Sequence, residues 1–276
     1  MPELPEVETV CRGLARRLIG RRIARVTLRR PDLRIPIPDG FVAAVEGRRI
    51  DRIERRAKYV RLHLDGGPVV ILHLGMSGRL MITEGPSNQT EPHDHVVFEA
   101  DDGTMVTFND HRRFGLLTMC PAETLDDHPL FAHLGPEPLD PAFDGPALAR
   151  RLAKKRTPIK AALLDQTVVA GVGNIYACEA LFEAGLSPRR HAYTVQGRRA
   201  DRLVVAIRNV LKAAIEAGGS SLRDYVQTSG ELGYFQHCLA VYDREGQSCP
   251  GCDCSGAIRR ITQANRSTFF CSRRQR

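Results

Sequence analysis

Residues 157–188 read TPIKAALLDQTVVAGVGNIYACEALFEAGLSP. A helix here ends near Gln166, a turn follows, and AGVGN opens the next helix. Gly171 and Gly173 let the backbone approach a ligand closely, and the N–H groups at a helix start attract an anion. Asn174 is placed to cap that second helix and to touch a phosphate, with Lys160 supplying a cation one helix earlier. The stretch therefore reads as a helix–two-turn–helix clamp for an anion. An ordinary helical hairpin needs glycines in its turn for the same backbone reason, so both readings stay open on these residues alone. The helical period continues on either side, in ALARRLAKK and in ADRLVVAIRNVLKAAIEAG, with Gly185 and Gly218 as C-caps. Residues 151–235 are predicted to form a helical domain.

Upstream the period changes. Val7, Val10, Leu14 and Leu18 recur at helical spacing and Gly20 ends the run, which predicts a helix over 3–18. Alternating segments follow: IARVTL (23–28), YVRLHL (59–64), VVILHL, HVVFEA and MVTFND, punctuated by DGG, GMSG and DDGT turns. These predict an antiparallel β-sandwich with a flanking helix, residues 1–133. A proline-rich stretch follows, read as a linker over 134–150. A basic, Cys-bearing hairpin closes the chain over 236–276. The fold class is α+β and multidomain: sandwich, helical domain, and a zinc-finger-like β-hairpin.

The chain has 276 residues, which suits two or more domains. Its 40 basic residues, mostly Arg, outnumber 32 acidic ones and leave a net charge of +8. Arg favours bidentate contact with phosphate or carboxylate. The charge is uneven: residues 1–60 hold fifteen basic and eight acidic residues, and residues 244–276 hold seven Arg and two acids. Two basic ends around a more acidic middle suit a long polyanion such as nucleic acid. No run approaches the ~20 apolar residues of a membrane span, which excludes a membrane protein. The acidic start MPELPEVET is neither a signal nor a transit peptide. Eight Cys without secretory context argue for thiols or metal rather than disulfides. The expectation is a cytoplasmic, basic protein.

Four groups of residues carry candidate chemistry. Met1 precedes a small residue, so its removal would leave Pro2 as a free secondary amine. An α-amino group with a pKa near 8 is ~10% neutral at pH 7, against ~0.04% for a lysine. The terminus is thus the better supplied amine nucleophile, with Glu3 and Glu6 near it as acid or base. Pro and acids also favour a first helical turn for structural reasons alone. Cys249-x2-Cys252-x-Cys254 and Cys271-x2-Arg274 resemble the two halves of a zinc ribbon, with Arg274 where the second pair needs its last Cys. Cys254, a water, or a metal-free hairpin are the alternatives for that fourth place. Met76 in GMSG, and Arg112 and Phe114 in DHRRFG, stand at loop tips after apolar strands. Such residues either wedge into a base stack or cover a satellite core. His93 and His95 form a close pair that reads as structural or exposed rather than as the ligand pair of a hydrolytic metal site.

MPELPEVET, RRAKY (55–59), GVGNIYACEALF and RSTFFC occur in one order along the chain. With them the chain closely resembles the bacterial formamidopyrimidine-DNA glycosylases, over essentially its whole length. The sister endonuclease VIII family typically starts PEGPE, and Leu4 favours the first family. The resemblance implies repair of 8-oxoguanine and formamidopyrimidines in double-stranded DNA, followed by β,δ-elimination at the abasic site, by a monomer. It implies Pro2 as nucleophile, Glu3 as general acid, and Lys58 near the abasic sugar and phosphates. Met76, Arg112 and Phe114 match the triad that enters the duplex. Lys160, Asn174, Glu179 and Arg266 match the DNA-binding residues of the helical domain and hairpin. Residues 218–228 match a loop that closes over the extruded base. One structural zinc ion on Cys249, Cys252 and Cys271 is implied, with the family's fourth cysteine falling at Arg274. The rival reading is a non-catalytic damaged-DNA-binding protein with a degenerate finger.

Overall fold

The computed structural model describes residues 2–85, 91–220, 227–252 and 257–276. Met1, Cys254 and residues 221–226 of the expected closing loop lie outside them. Helix α1 (Leu4–Leu18) begins at Glu3, whose backbone N–H donates to the Glu6 carboxylate (2.8 Å), while the Glu3 carboxylate accepts from the Glu6 backbone. This reciprocal cap fixes the first turn. Val7, Val10, Leu14 and Leu18 are all buried, as the helical spacing requires. Gly20 then takes a φ of 86°, which ends the helix.

Strand β1 (Ile23–Leu28) and the short helix α2 (Phe41–Val45) precede seven strands: β2 (Ile50–Arg56), β3 (Tyr59–Leu64), β4 (Pro68–His73), β5 (Arg79–Glu84), β6 (Asp94–Ala100), β7 (Thr104–Asn109) and β8 (Leu116–Pro121). They form two antiparallel four-stranded sheets, ordered β1-β6-β7-β5 and β2-β3-β4-β8. Alternate residues of β3 (Val60, Leu62 and Leu64) are buried, as expected for a half-buried strand. They join one core with the inner face of α1, Phe41, Phe98 and Phe108. Strand β2 escapes a period-2 reading because its register shifts between Ile50 and Arg52, leaving Ile50 and Ile53 buried three residues apart.

Four further helices follow: α3 (Gly145–Leu152), α4 (Ile159–Leu164), α5 (Asn174–Glu183) and α6 (Arg198–Glu216). Asp144 caps α3 through the Ala147 N–H (2.8 Å), and Gly185 takes a φ of 65° just beyond α5. Strands β9 (Arg259–Gln263) and β10 (Arg266–Phe270) pair as the final hairpin. Its two-residue turn places Ala264 and Asn265 in the left-handed region, at φ 47° and 57°. That conformation matches strand twist in a tight hairpin. The chain divides into two compact units, Met1–Ala132 with Ile215–Gln236, and His133–Ala214 with His237–Arg276. No helix among the described residues is long and apolar enough to cross a membrane.

Candidate active site and nucleic-acid interface

In the first unit, Pro2 is buried immediately ahead of α1, and Glu3 behind it is only 2% exposed. Glu6 links this start to a distant segment: its second carboxylate oxygen accepts from the Ser220 N–H (2.8 Å). Sequence reading placed Glu6 near Pro2 but could not see Ser220, 214 residues away. Lys58 is buried on the two-residue turn between β2 and β3. Its neighbour Ala57 has φ 52°, an uncommon backbone for alanine. Arg55 ties that turn to α1: Nε donates to Glu8 (3.0 Å), and Nη1 to the Ala57 carbonyl (3.2 Å).

His73, at the end of β4, has its imidazole pKa pushed down to about 4, chiefly by removal from water and then by the charges of Lys58 and Arg34. Its Nδ1 accepts from the Gly75 N–H (2.9 Å), which needs the neutral ring. The unfolded imidazole, near 6.5, takes up a proton that the folded ring refuses. Stability therefore falls as pH drops from about 6.5 towards 4. Going from pH 7 to pH 5 is expected to cost about 1–2 kcal/mol after allowance for solvent screening. Urea unfolding at both pH values checks this, and His73→Gln should flatten the dependence.

Asp110, which is fully buried, ties the loop that carries Met76 to the loop that carries Phe114. One Asp110 oxygen accepts from Ser77 Oγ and the other from the Gly115 N–H (2.7 Å), while its carbonyl pairs with His95 Nε2 (2.8 Å). A Cβ on Gly75 would meet the Phe114 backbone at 2.4 Å, so only glycine allows the two loops to touch. Phe114 remains 45% exposed, with the Arg112 guanidinium 4.7 Å from its ring centroid. An exposed aromatic with a cation over its face, on a braced loop, suits base stacking. Asp110 and Ser77 were not singled out in the sequence, although both lie inside the GMSG and DHRRFG motifs. His95 is the structural residue expected of it.

In the second unit, Lys160 is 0% exposed, and its ammonium donates to the Ser267 carbonyl (2.9 Å) and Thr268 Oγ1 (2.7 Å). Asn174 is the first residue of α5, whose cap is Gly173 rather than the expected Asn174. It donates to the same Ser267 carbonyl (3.1 Å) and to Tyr242 Oη (3.4 Å), while its Oδ1 has no hydrogen-bond partner among the described residues. Glu179 lies one turn further along α5, buried, and accepts from the N–H groups of Ala240 (2.8 Å), Val241 (3.0 Å) and Tyr242 (2.8 Å). Burial raises its pKa, against the lowering effect of those bonds. The structure thus gives Lys160 and Glu179 internal partners: one braces β10, the other anchors the segment carrying Tyr242. Arg266 is exposed at the start of β10, directly before the braced pair Ser267 and Thr268.

The Cys249, Cys252 and Cys271 sulfurs lie within 4.8 Å of one another, and Cys252 and Cys271 are 3.7 Å apart. Tetrahedral zinc–thiolate bonds of ~2.3 Å place sulfurs about 3.8 Å apart, so the three thiols fit three of four positions. Arg274 offers no fourth, because a guanidinium carries no lone pair for a metal.

Two family models match the chain. The formamidopyrimidine-DNA glycosylase N-terminal domain covers residues 1–117, and the H2TH domain of the same enzymes covers residues 134–226. Formamidopyrimidine-DNA glycosylases of Rhodospirillum centenum and Rhodospirillum rubrum are 60% and 59% identical to it, over the full length of both chains. The crystal structure of the MutM (Fpg) protein from Thermus thermophilus superposes with a TM-score of 0.88 at 42% identity, covering 99% of this chain and 98% of that one. Lactococcus lactis Fpg, in complex with DNA containing an abasic site, gives a TM-score of 0.90 at 32% identity, with 99% of both chains covered. The chain belongs to the formamidopyrimidine-DNA glycosylase family.

Proposed function

We propose that this protein excises oxidised purines, 8-oxoguanine and formamidopyrimidines, from double-stranded DNA and cleaves the abasic site that remains. The observation that carries the reading is the start of α1: a proline amine, once Met1 is removed, directly ahead of a buried, capped glutamate. The neutral Pro2 nitrogen attacks C1′ of the damaged nucleotide, the C1′–N bond breaks with its electron pair leaving on the base, and the N–H proton lost from the substituted Pro2 nitrogen balances the charge on that base. Glu3 supplies the proton that opens the sugar ring at O4′, giving the iminium. The iminium acidifies C2′–H, so the 3′-phosphate and then the 5′-phosphate leave by successive eliminations. Lys58 offers a cation for the phosphates of the abasic sugar.

Met76, Arg112 and Phe114 fill the space left by the extruded nucleotide, where stacking offsets the unpairing cost. Asn174 and Arg266 contact phosphates, the first at the N-terminus of α5. Lys160 and Glu179 serve binding through β10 and Tyr242. Zinc, when bound to Cys249, Cys252 and Cys271, supplies a structural cross-link and no chemistry. The lineage and the DNA substrate suit a cytoplasmic monomer.

Arg266→Ala should weaken duplex binding almost uniformly across sequences and lower the slope of log K against log salt by about 1. Titrations at several salt concentrations read this directly. Incubating the protein with an 8-oxoguanine duplex tests the activity. A one-nucleotide gap with phosphate on both flanks is expected. Tight binding with an intact strand would instead leave a damage-binding protein.

A further inference from the structure

The last residues of the chain hold themselves in place. The Gln275 side chain is buried, accepting from the Cys271 N–H (2.9 Å) and donating to the Leu186 carbonyl (2.9 Å). The Arg276 N–H donates to the Gly185 carbonyl (3.1 Å). Arg274 adds two longer reaches. Its Nη1 donates to the Gly251 carbonyl (2.8 Å), between Cys249 and Cys252, and its Nε to the Phe182 carbonyl near the end of α5 (3.3 Å). Its guanidinium carbon lies 4.9 Å from the centroid of the Phe182 ring. One side chain thus joins the C-terminal turn, the Cys249–Cys252 knuckle and α5. A zinc ion makes the first of these joins in a ribbon with two C-x2-C pairs, and here the second pair ends in Arg274.

We infer that the Arg274 guanidinium replaces the fourth metal ligand as the tie that closes the hairpin, so that β9 and β10 keep their fold and DNA-binding register without metal. The charged donor makes both hydrogen bonds stronger than neutral ones. The apolar cluster of Cys178, Phe182, Val241, Ile258 and Phe269 supports the same elements from beneath. Gly251 is part of the device. A Cβ there would meet Arg274 Nη1 at 2.9 Å and Cδ at 3.0 Å, while its φ lies outside the left-handed region. Gly251→Ala therefore displaces the guanidinium without backbone strain and leaves every cysteine in place.

The test uses the full chain, stripped of metal with a strong zinc chelator and checked by native mass spectrometry. Amide hydrogen exchange over 259–270 is the main readout. Binding to a duplex with an uncleavable abasic analogue is the second. The stripped wild-type chain is expected to keep its protection and its affinity. Stripped Arg274→Ala and Gly251→Ala should exchange about tenfold faster at these amides, as the loss of charged hydrogen bonds implies. Arg274→Cys should hold one zinc and lose hairpin protection on chelation. Collapse of wild-type protection on zinc removal would overturn the inference, as would stripped Arg274→Ala and Gly251→Ala exchanging as slowly as wild type. Failure of every form to bind DNA would count against the proposed function and leave the exchange result to decide this one.

Discussion

A chain that keeps Met1, or carries any residue ahead of Pro2, is expected to lose at least about 250-fold in base release, the ratio of neutral amine at a free terminus to that at a lysine. Acylation turns the Pro2 nitrogen into an amide, whose lone pair is delocalised into the carbonyl. Lys58 could then serve only through its scarce neutral form. Glu3 and Glu6 remain in place, because their reciprocal cap uses backbone groups of α1 and not the terminal amine. Duplex binding should therefore survive, since Phe114, Asn174 and Arg266 are untouched. Single-turnover base release from an 8-oxoguanine duplex, beside a binding titration, separates the two effects. Equal loss of binding and turnover would mean that the extension unfolds the start of α1, and unchanged turnover would remove Pro2 from the chemistry.

Glu179→Ala is expected to lower stability by about 3–5 kcal/mol, because one buried and two partly buried N–H groups lose their acceptor at about 1–3 kcal/mol each, with partial relaxation. The apparent melting temperature should drop by roughly 10 °C for a chain of this size. Glu179→Gln keeps one acceptor oxygen and a similar volume, so it should cost about half as much. Near-ultraviolet melting curves of the three proteins measure this. Affinity should fall as well, because the anchored segment carries Tyr242, whose ring packs edge-on against Phe269 at 5.1 Å and whose hydroxyl meets Asn174. The contrast with Arg266→Ala is diagnostic: that exposed side chain should change binding and leave the melting temperature nearly unmoved.

Local patterns carried much of this molecule into view. The helix over 3–18, the alternation in YVRLHL and the glycine after α5 depend on neighbours within a few residues, and each appears in the structure close to where the pattern predicts it. Strand β2 was hidden because a register shift breaks its alternation. Strand β8, whose first three residues are all buried, was not read as a strand. The site divides the same way. Pro2 and Glu3 stand out in the sequence because a proline amine ahead of an acidic first turn is visible without any tertiary contact. The partners of Glu6, Lys160 and Glu179 are 214, 107 and about 60 residues away, and no periodicity carries that information. Lys160 shows the consequence. A lysine beside a glycine-rich turn reads as a phosphate contact, and no local pattern signals that its ammonium also holds Ser267 and Thr268 of the strand that presents Arg266.

The most direct measurement is borohydride trapping on an 8-oxoguanine duplex, followed by digestion and mass spectrometry of the adduct. A reduced, covalent sugar adduct on the peptide that begins at Pro2 is the expected result. An adduct on the peptide containing Lys58, or no adduct while the duplex stays bound, would contradict proline-amine catalysis.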